Sequence, residues 1–469
     1  MFSSPPLSRP PRLAALASAL SALCLVLAGP GAWAQTTGAS AFAMGYFTES
    51  PNGLASNYGL HLAVSDDGRE WTPLNQNAPV VTPTLGTKGL RDPFILRKQD
   101  GTFVVLATDL YGLDFSKQNQ FIHVWDSRGL TSFENYRRVK LHDLPTHSWA
   151  PESFWDAQRG QYAVIYSAFN GTRDVILVNY TSDFVTFSAA QTYFDPGFNV
   201  LDATMHSHGG VHYLYFKRTS DNRLMGARST SLAPGAFNAS IYTRAFEGLG
   251  ATEAPIVVKS LDRDEWTMWG DVYTPVNGRF FAWRSGNITQ DAWEPLSQRL
   301  YTQPINSKHA TIVALTSAEK SALLSRYGAP AWIRLKSYNY PDRYVRHANY
   351  EGRVDPYPMD PYTDSQFRLV GGLASSSGVS LQSVTDPGLY LRHSGFEVRL
   401  ARDDGSASFA ADATFTRTAG LANASWTTLR SWNYPDRVLR HQGFRLRIDP
   451  ITASSPQTDR EDATFALTR

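Results

Sequence analysis

One pattern, repeated at intervals of about fifty residues, constrains the fold of this chain more than any other feature of its sequence. In the first four copies, a short apolar segment beginning at a polar or small residue is followed, after a turn, by a second apolar segment. The anchors are Asp92, Ala150, Asp202, Glu253 and His309, at spacings of 58, 52, 51 and 56 residues. Repeats of this length, built from short strands, predict a β-propeller. Propeller inner strands converge on a central channel, so three carboxylates are expected to face one another.

The two ends of this region predict that the propeller has five blades. Strand candidates at 43–48 and 59–64 have no inner strand of their own, whereas the segment around His309 has no outer strands after it. One blade assembled from both ends would give the N-terminal strands an inner strand and the His309 segment its outer strands, and it would close the ring. Frequent turn signals and almost no helical periodicity favour an all-β domain.

A single helix is predicted between Thr316 and Gly328. Thr316 and Glu319 have the spacing of a capping box, and Gly328 is a suitable C-terminal stop. A short linker follows, and we place the domain boundary there. The predicted organisation is a propeller over 35–315, a helix and linker over 316–331, and a second domain over 332–469.

The first 34 residues have the pattern of a secretory signal peptide. Arg9 and Arg12 precede the uncharged apolar run 13–28, and Ala32-Trp33-Ala34 is a small-x-small cleavage site. The apolar run is shorter than the roughly 20 residues of a membrane-spanning helix, which disfavours a membrane anchor. The one cysteine, Cys24, lies in this segment, so the processed chain has no disulfide. We therefore expect a secreted, extracellular protein.

The charge balance excludes two classes of partner. Arg9 and Arg12 account for two of the 44 basic residues, and the remainder equals the 42 acidic residues. A neutral processed chain offers no electrostatic surface for nucleic acid or for an anionic membrane. The aromatic content of 13% leaves rings available for a binding surface.

Residues 332–469 contain three copies of one unit. Each copy carries a histidine after a strand candidate and an aspartate shortly before a phenylalanine. Three β-rich units of this length predict a β-trefoil with a pseudo-threefold axis, in which each unit contributes one pocket. The candidate polar contacts are the pairs His347 with Asp364, His393 with Asp412, and His441 with Asp462.

The three carboxylates of the propeller match the groups needed for acid–base hydrolysis. Hydrolysis of a glycosidic bond requires two carboxyl groups across a cleft, and the one that acts as acid needs a raised pKa. A third carboxylate raises that pKa by like-charge repulsion. Asp92, Asp202 and Glu253 could supply this trio. Each alone could instead cap a strand or pair with an arginine, but matched positions in three repeats favour catalysis.

These motifs together resemble glycoside hydrolase family 43, whose fold is a five-bladed propeller. The resemblance covers the whole first domain and rests on the order of the Asp-Pro, Trp-Ala-Pro, Asp, Glu-x-Pro and His motifs on successive inner strands. It implies that Asp92 is the general base, Asp202 the modulator of a pKa, and Glu253 the general acid. Ala203 and Ala254 stand where many relatives have proline and glycine. The resemblance also implies that a calcium ion can lie near His309, although no Asp/Asn-rich calcium loop is present.

The second domain resembles the AbfB module, carbohydrate-binding family 42, which binds arabinofuranose. The three His–Asp pairs match the sugar-contacting pairs of that family. The segment Asp364-Ser365-Gln366-Phe367 departs from the usual Asp-Ala-Thr-Phe, which predicts a weaker first pocket. Structural repeats without a ligand are the alternative interpretation.

The expected protein is an inverting, exo-acting α-L-arabinofuranosidase that releases L-arabinose from arabinan or arabinoxylan and requires no cofactor. The module, rather than the propeller, indicates arabinose. A β-xylosidase or galactosidase on the same propeller, and a non-catalytic carbohydrate-binding protein, therefore stay open. A retaining fructan-cleaving enzyme is disfavoured, because no acidic residue between the signal and Asp92 precedes Pro-Asn. We also expect the propeller to act on small substrates without the second domain.

Overall fold

The computed structural model describes Met1 and residues 38–49, 55–116, 118–239, 241–246, 251–274 and 278–469. Apart from Met1, the predicted signal peptide at 1–34 lies outside the described residues. Within the described part of the chain, no helix is both long enough and apolar enough to cross a membrane.

In its described residues, the first domain contains twenty strands. They are β1 (Ala39–Thr48), β2 (His61–Ser65), β3 (Thr72–Pro73), β4 (Leu90–Arg97), β5 (Phe103–Asp109), β6 (Phe121–Arg128), β7 (Ser132–Lys140), β8 (Trp149–Asp156), β9 (Gln161–Phe169), β10 (Asp174–Thr181), β11 (Gln191–Phe194), β12 (Val200–His208), β13 (Val211–Arg218), β14 (Arg223–Ser229), β15 (Ile241–Phe246), β16 (Ala251–Lys259), β17 (Trp266–Thr274), β18 (Arg279–Ser285), β19 (Glu294–Pro295) and β20 (Ser307–Thr316).

These strands form five antiparallel sheets of four strands each, which are the five predicted blades. Strand β1 pairs with β2 on one side and with β20 on the other, which confirms the blade made from both ends of the domain. Each blade has four strands, more than the repeated sequence pattern indicated. The outermost strands β3 and β19 contain two residues each, too few for an alternating hydrophobic pattern to be detected.

Apolar clusters fill the spaces between neighbouring blades. Five such clusters occur in the described residues, one for each adjacent pair, including the pair that closes the ring. Leu62 and Val105, for example, come from adjacent blades and are fully buried in one cluster. Full burial of such a side chain contributes roughly 1.5–3 kcal/mol, so the ring is held by blade-to-blade packing.

All five inner strands contain a β-bulge. The pairing register shifts there, and one residue of each bulge has a positive φ: Asp92 (50°), Ala150 (48°), Asp202 (54°), Ala254 (53°) and His309 (29°). A bulge adds a residue and redirects side chains, and left-handed non-glycine residues concentrate at functional sites. The fourth anchor is therefore Ala254, one residue later than predicted. Glu253 instead matches the position of Lys308.

The predicted helix is present as α1 (Ser317–Tyr327). The Thr316 side chain accepts a hydrogen bond from the Glu319 N–H, and the Glu319 carboxylate accepts one from the Thr316 N–H. The N–H of Gly328 (φ 72°) donates to the carbonyl of Leu324 and ends the helix. Arg97 donates to both carboxylate oxygens of Glu319, at 2.8 and 2.9 Å, which fixes the helix against β4.

The second domain is one twelve-stranded, barrel-like sheet. Its strands are β21 (Arg334–Ser337), β22 (Arg343–Ala348), β23 (Glu351–Pro356), β24 (Phe367–Gly371), β25 (Val379–Ser383), β26 (Leu389–Ser394), β27 (Glu397–Arg402), β28 (Phe415–Ala419), β29 (Thr427–Ser431), β30 (Val438–Gln442), β31 (Arg445–Asp449) and β32 (Phe465–Thr468). Two short helices that the sequence analysis missed, α2 (Ala407–Asp412) and α3 (Gln457–Asp462), precede β28 and β32. Single 3-10 turns occur at Ala55–Tyr58, Asn75–Asn77, Ile288–Gln290, Gln298–Leu300 and Tyr362–Ser365.

Candidate active site

Asp92 and His309 form an ion pair between the inner strands β4 and β20. Asp92 Oδ1 lies 3.0 Å from His309 Nδ1, and Asp92 Oδ2 accepts a 2.7 Å hydrogen bond from the Thr108 hydroxyl. Burial alone would raise the pKa of Asp92, but His309 lowers it to about 2. Burial likewise would lower the pKa of His309, but Asp92 raises it to about 9. Asp92 is therefore a carboxylate over the whole range in which enzymes ordinarily work.

Asp202 lies beside the backbone that carries Glu253. Its carboxylate accepts a hydrogen bond from the Ala254 N–H at 3.2 Å, and its own N–H donates to the Ser167 hydroxyl at 3.0 Å. Burial raises the pKa of Asp202, and the charges of Glu253 and Asp92 raise it further. The structure thus brings the three predicted carboxylates into one electrostatically connected group.

Glu253 is held between two ammonium groups. Lys217 Nζ donates to Glu253 Oε2 at 3.0 Å, and Lys308 Nζ lies 3.5 Å from Oε1. Burial favours a raised pKa, but Lys308 and Lys217 together lower the pKa of Glu253. We expected repulsion from Asp202 to raise this pKa above its ordinary value, and that net direction is wrong, because the two lysines outweigh the repulsion. The same repulsion contributes to the raised pKa of Asp202.

Lys308 is the centre of a buried charge cluster that the sequence analysis did not identify. Its ammonium group lies 3.7 Å from Asp271 and 3.8 Å from Glu49, besides its contact with Glu253. Glu49 also pairs with Arg91 at 3.5 Å. Burial raises the pKa of Asp271 to about 7. The sequence offered one signal for this cluster, which is the lysine next to His309 on a predicted inner strand. A buried lysine requires an acidic partner.

Glu152 is a further acid that the sequence analysis did not select. It lies on β8, two residues after the bulge at Ala150, and is buried. Burial raises the pKa of Glu152 to about 8, so at neutral pH it is mostly a neutral carboxylic acid. Glu152 is the last residue of the motif Trp-Ala-Pro-Glu. It was missed because the alignment of the repeats selected Ala150 as the anchor of that blade.

The ring of His309, near which the family resemblance implies a calcium ion, contacts Asp92. Among the described residues, no group of three or more His, Cys, Asp or Glu side chains is arranged to hold a metal ion. A calcium ion near His309 remains a prediction from the family resemblance.

The three His–Asp pairs of the second domain are each in close contact. The distances from His Nε2 to Asp Oδ1 are 3.3 Å for His347–Asp364, 3.4 Å for His393–Asp412 and 3.4 Å for His441–Asp462. In every pair the arginine before the histidine also binds the aspartate, which orients it: Arg346, Arg392 and Arg440.

Two of these pockets are completed by an asparagine from the following repeat. Asn433 lies 2.9 Å from His393 Nε2 and donates to Asp412 at 2.8 Å. Asn339 contacts His441 and Asp462 in the same way, at 3.1 and 2.6 Å. The sequence contained this signal, because Ser-x-Asn-Tyr-Pro-Asp occurs in the first and third repeats.

The pocket of His347 and Asp364 has no such asparagine. Thr385 stands at the corresponding position of the second repeat, where its hydroxyl contacts Ser383. The other two pockets also have an exposed tyrosine beside the histidine, Tyr340 against His441 and Tyr434 against His393. The first pocket is therefore the least complete of the three, and its weaker binding of sugar stays a prediction.

Comparison with known proteins identifies the family of the propeller. A family model described as "Probable glycosyl hydrolase domain", related to glycoside hydrolase family 43, matches residues 38–321, more than half of the chain. The chain belongs to this glycoside hydrolase family. A second model, described as "Alpha-L-arabinofuranosidase B (ABFB) domain", matches the second domain of the glycoside hydrolase at 325–362 and 333–467. Both family resemblances seen in the sequence are confirmed.

Two curated relatives match parts of this glycoside hydrolase. An α-L-arabinofuranosidase of Bifidobacterium longum is 25% identical over 281 residues, which cover 48% of this chain and 26% of that protein. An extracellular exo-α-(1→5)-L-arabinofuranosidase of Streptomyces avermitilis is 48% identical over 82 residues, 18% of this chain and 17% of that protein. The chain thus matches about a quarter of the first relative and about a sixth of the second.

A solved family 43 β-1,3-galactosidase covers 91% of this chain and 88% of its own, at 11% identity and a TM-score of 0.39. So distant a likeness carries no argument about the activity of this glycoside hydrolase.

Proposed function

We propose that this glycoside hydrolase is a secreted, inverting, exo-acting α-L-arabinofuranosidase that releases L-arabinose from arabinan or from the side chains of arabinoxylan. The observation that carries the proposal is the convergence of Asp92, Asp202 and Glu253 in one electrostatically connected group on the inner strands. This arrangement supplies two carboxyl groups for acid–base chemistry and a third that can influence them.

Asp92 is the proposed general base. Its pKa of about 2 keeps it ionised, and it can accept a proton from the attacking water. Glu253 is the proposed general acid and protonates the departing glycosidic oxygen. For inversion, the two carboxyl groups must be roughly 6.5–9.5 Å apart to leave room for the water.

Asp202 has the proposed role of holding the acid in place. Its hydrogen bond from the Ala254 N–H fixes the backbone next to Glu253. Its negative charge also works against the two lysines, because it favours the protonated form of Glu253. Without that opposition the pKa of Glu253 would fall still further, so Asp202 preserves part of the acid form.

The second domain supports arabinose as the sugar. We infer that its sheet is a β-trefoil, because each repeat contributes four strands and the core contains equivalent residues from all three repeats, including Phe367, Phe415 and Phe465. We also infer that it binds arabinofuranose side chains of plant cell-wall polysaccharide. Individually weak pockets on one module reinforce one another on a polymer. The names of both curated relatives agree with this sugar.

The secreted location rests on two further observations. The sequence of residues 1–34 has the features of a signal peptide, and the relative from Streptomyces avermitilis is named as extracellular. Export fits the proposed substrate, because arabinan and arabinoxylan are polymers outside the cell.

The rates on three aryl glycosides test the proposal. The full-length protein should hydrolyse an aryl α-L-arabinofuranoside with a kcat/KM at least about a hundredfold above that for the β-D-xyloside and the β-D-galactoside. A difference of this size lies within the roughly 10–200-fold that one apolar group in a pocket provides. Chromatography of linear and branched arabinan digests should show free arabinose from the start. Preference for the xyloside or galactoside, or release of oligosaccharides alone, would contradict the proposal.

A further inference from the structure

The two domains share a buried interface, although the sequence suggested that they act independently. Tyr357 and Arg334 of the second domain are 4% and 1% exposed. Lys336 is also buried there, and its ammonium group donates to the carbonyls of Gln298 and Tyr301 in the propeller. Burial lowers the pKa of Lys336 to about 7. Polar groups buried in this way need their partners, so the domains form one structural unit here.

The interface centres on the turn 303–307 of the propeller. The Tyr357 hydroxyl donates to the Pro304 carbonyl at 3.0 Å. Arg334 Nη2 donates to the Gln303 carbonyl at 3.0 Å. These two hydrogen bonds come from the second domain and end on consecutive carbonyl groups of one propeller segment.

This turn leads directly into the candidate active site. Its last residue, Ser307, hydrogen-bonds back to the Pro304 carbonyl, and the next residue is Lys308. The Asn306 carbonyl accepts a 2.9 Å hydrogen bond from the Glu49 N–H. The turn therefore positions both Lys308 and Glu49, and Lys308 in turn contacts Glu253.

We propose that Tyr357 and Arg334 are positioning residues for the hydrolase reaction, acting through the turn 303–307 on Lys308 and thereby on Glu253. The second domain would then be part of the active-site structure as well as a sugar-binding module. The inference rests on the proposed function only in taking Glu253 as the acid. A residue placed about 1 Å from its productive position can cost up to about a hundredfold in rate, so a distant support can matter.

The first repeat provides an independent reason for this inference. Tyr357 and Met359 follow β23 of that repeat and pack with Ile305 of the turn and with Trp332. The same repeat holds the pocket without an asparagine, that of His347 and Asp364. One of three otherwise similar repeats thus faces the propeller and is also the least complete as a sugar site. Specialisation for docking explains both features.

Tyr357→Phe in the full-length protein is the direct test, since it keeps the buried ring and removes only the hydroxyl. We expect kcat/KM on an aryl α-L-arabinofuranoside to fall about threefold to tenfold, the range for loss of one hydrogen bond. Lys308 should also hold Glu253 less firmly. The pKa of Glu253 then rises, and the basic limb of the kcat/KM profile moves to higher pH.

Arg299→Ala is the matched control. Arg299 donates to the Tyr338 carbonyl across the same interface at 2.7 Å, but it does not contact the turn. It should leave the rate and the pH profile unchanged even if the melting temperature falls. A Tyr357→Phe enzyme with a wild-type pH profile, whether or not its rate or stability falls, would overturn the inference. If the wild-type enzyme does not hydrolyse the arabinoside, the proposed function is contradicted. The Tyr357→Phe and Arg299→Ala variants are then compared with the wild type on whichever aryl glycoside the wild type cleaves.

Discussion

His309 Nδ1 lies 3.0 Å from Asp92 Oδ1, and both residues occupy left-handed bulge positions on inner strands. The pair explains how a buried carboxylate can remain ionised. Burial favours the neutral form of Asp92, and the imidazolium of His309 reverses that preference. The proposed base, Asp92, and its counter-ion, His309, thus each occupy a strained bulge position.

His309→Gln tests this relationship. A neutral amide no longer stabilises the ionised form, so the pKa of Asp92 should rise from about 2. The base must be ionised to act, and the acidic limb of the kcat/KM profile should therefore move to higher pH. An acidic limb at the wild-type position would show that His309 does not set the charge of Asp92.

Lys217→Met should shift the opposite limb. Lys217 and Lys308 lower the pKa of Glu253, so removal of one ammonium group should raise that pKa. The acid is protonated below its pKa, and the basic limb of kcat/KM should accordingly move to higher pH. Lys217→Arg keeps the positive charge and should leave the limb near its original position. If the basic limb of the kcat/KM profile lay at the same pH in the Met and Arg variants, the assignment of Glu253 as acid would be contradicted.

Asp92→Ala and Glu253→Ala should differ in their dependence on the leaving group. Both should lose about a hundredfold to ten-thousandfold on natural arabinosides, the usual contribution of general acid–base catalysis. Glu253→Ala should recover most of this rate on an aryl arabinofuranoside with a good leaving group, because a stable phenolate needs no proton. Asp92→Ala should not recover.

Glu294→Ala is the control for these two variants, because Glu294 is an exposed carboxylate in the same blade as Glu253. It should retain wild-type activity on both substrates. No recovery of Glu253→Ala on the activated substrate would refute its role as acid.

The binding module should lose affinity in proportion to the number of complete pockets removed. His393→Ala with His441→Ala should abolish most retention on arabinoxylan, whereas either change alone should have a small effect. His347→Ala removes the pocket without an asparagine and should change little. The fraction of each variant retained in a pull-down on arabinoxylan and on unsubstituted xylan measures the affinity. Equal retention of the wild type on both polymers would show that the module does not recognise arabinose.

The sequence predicted the global architecture well because its signals are periodic. Five inner strands, the blade made from both ends, and helix α1 with its capping box all follow from patterns that recur or that have fixed spacing. The outermost strands β3 and β19, at two residues each, are too short to carry such a pattern.

The electrostatics of the candidate site were harder to predict, since they depend on contacts distant in sequence. Lys217 and Lys308 reach Glu253 from different blades, and neither belongs to a motif. Each bulge also adds a residue to its inner strand, and counting along the repeat placed the fourth anchor at Glu253 instead of Ala254, the residue with the positive φ. The direction of the pKa shift of Glu253 could not be inferred without those two lysines.

The configuration of the first-formed sugar tests the central claim most directly. Proton NMR during the first minutes of hydrolysis of an aryl α-L-arabinofuranoside by the full-length enzyme separates the two anomers before they equilibrate. With Asp92 activating a water and Glu253 protonating the leaving oxygen, the first product should be β-L-arabinofuranose. If α-L-arabinofuranose appeared first, the reaction would proceed with retention, and the proposed roles of Asp92 and Glu253 would be contradicted.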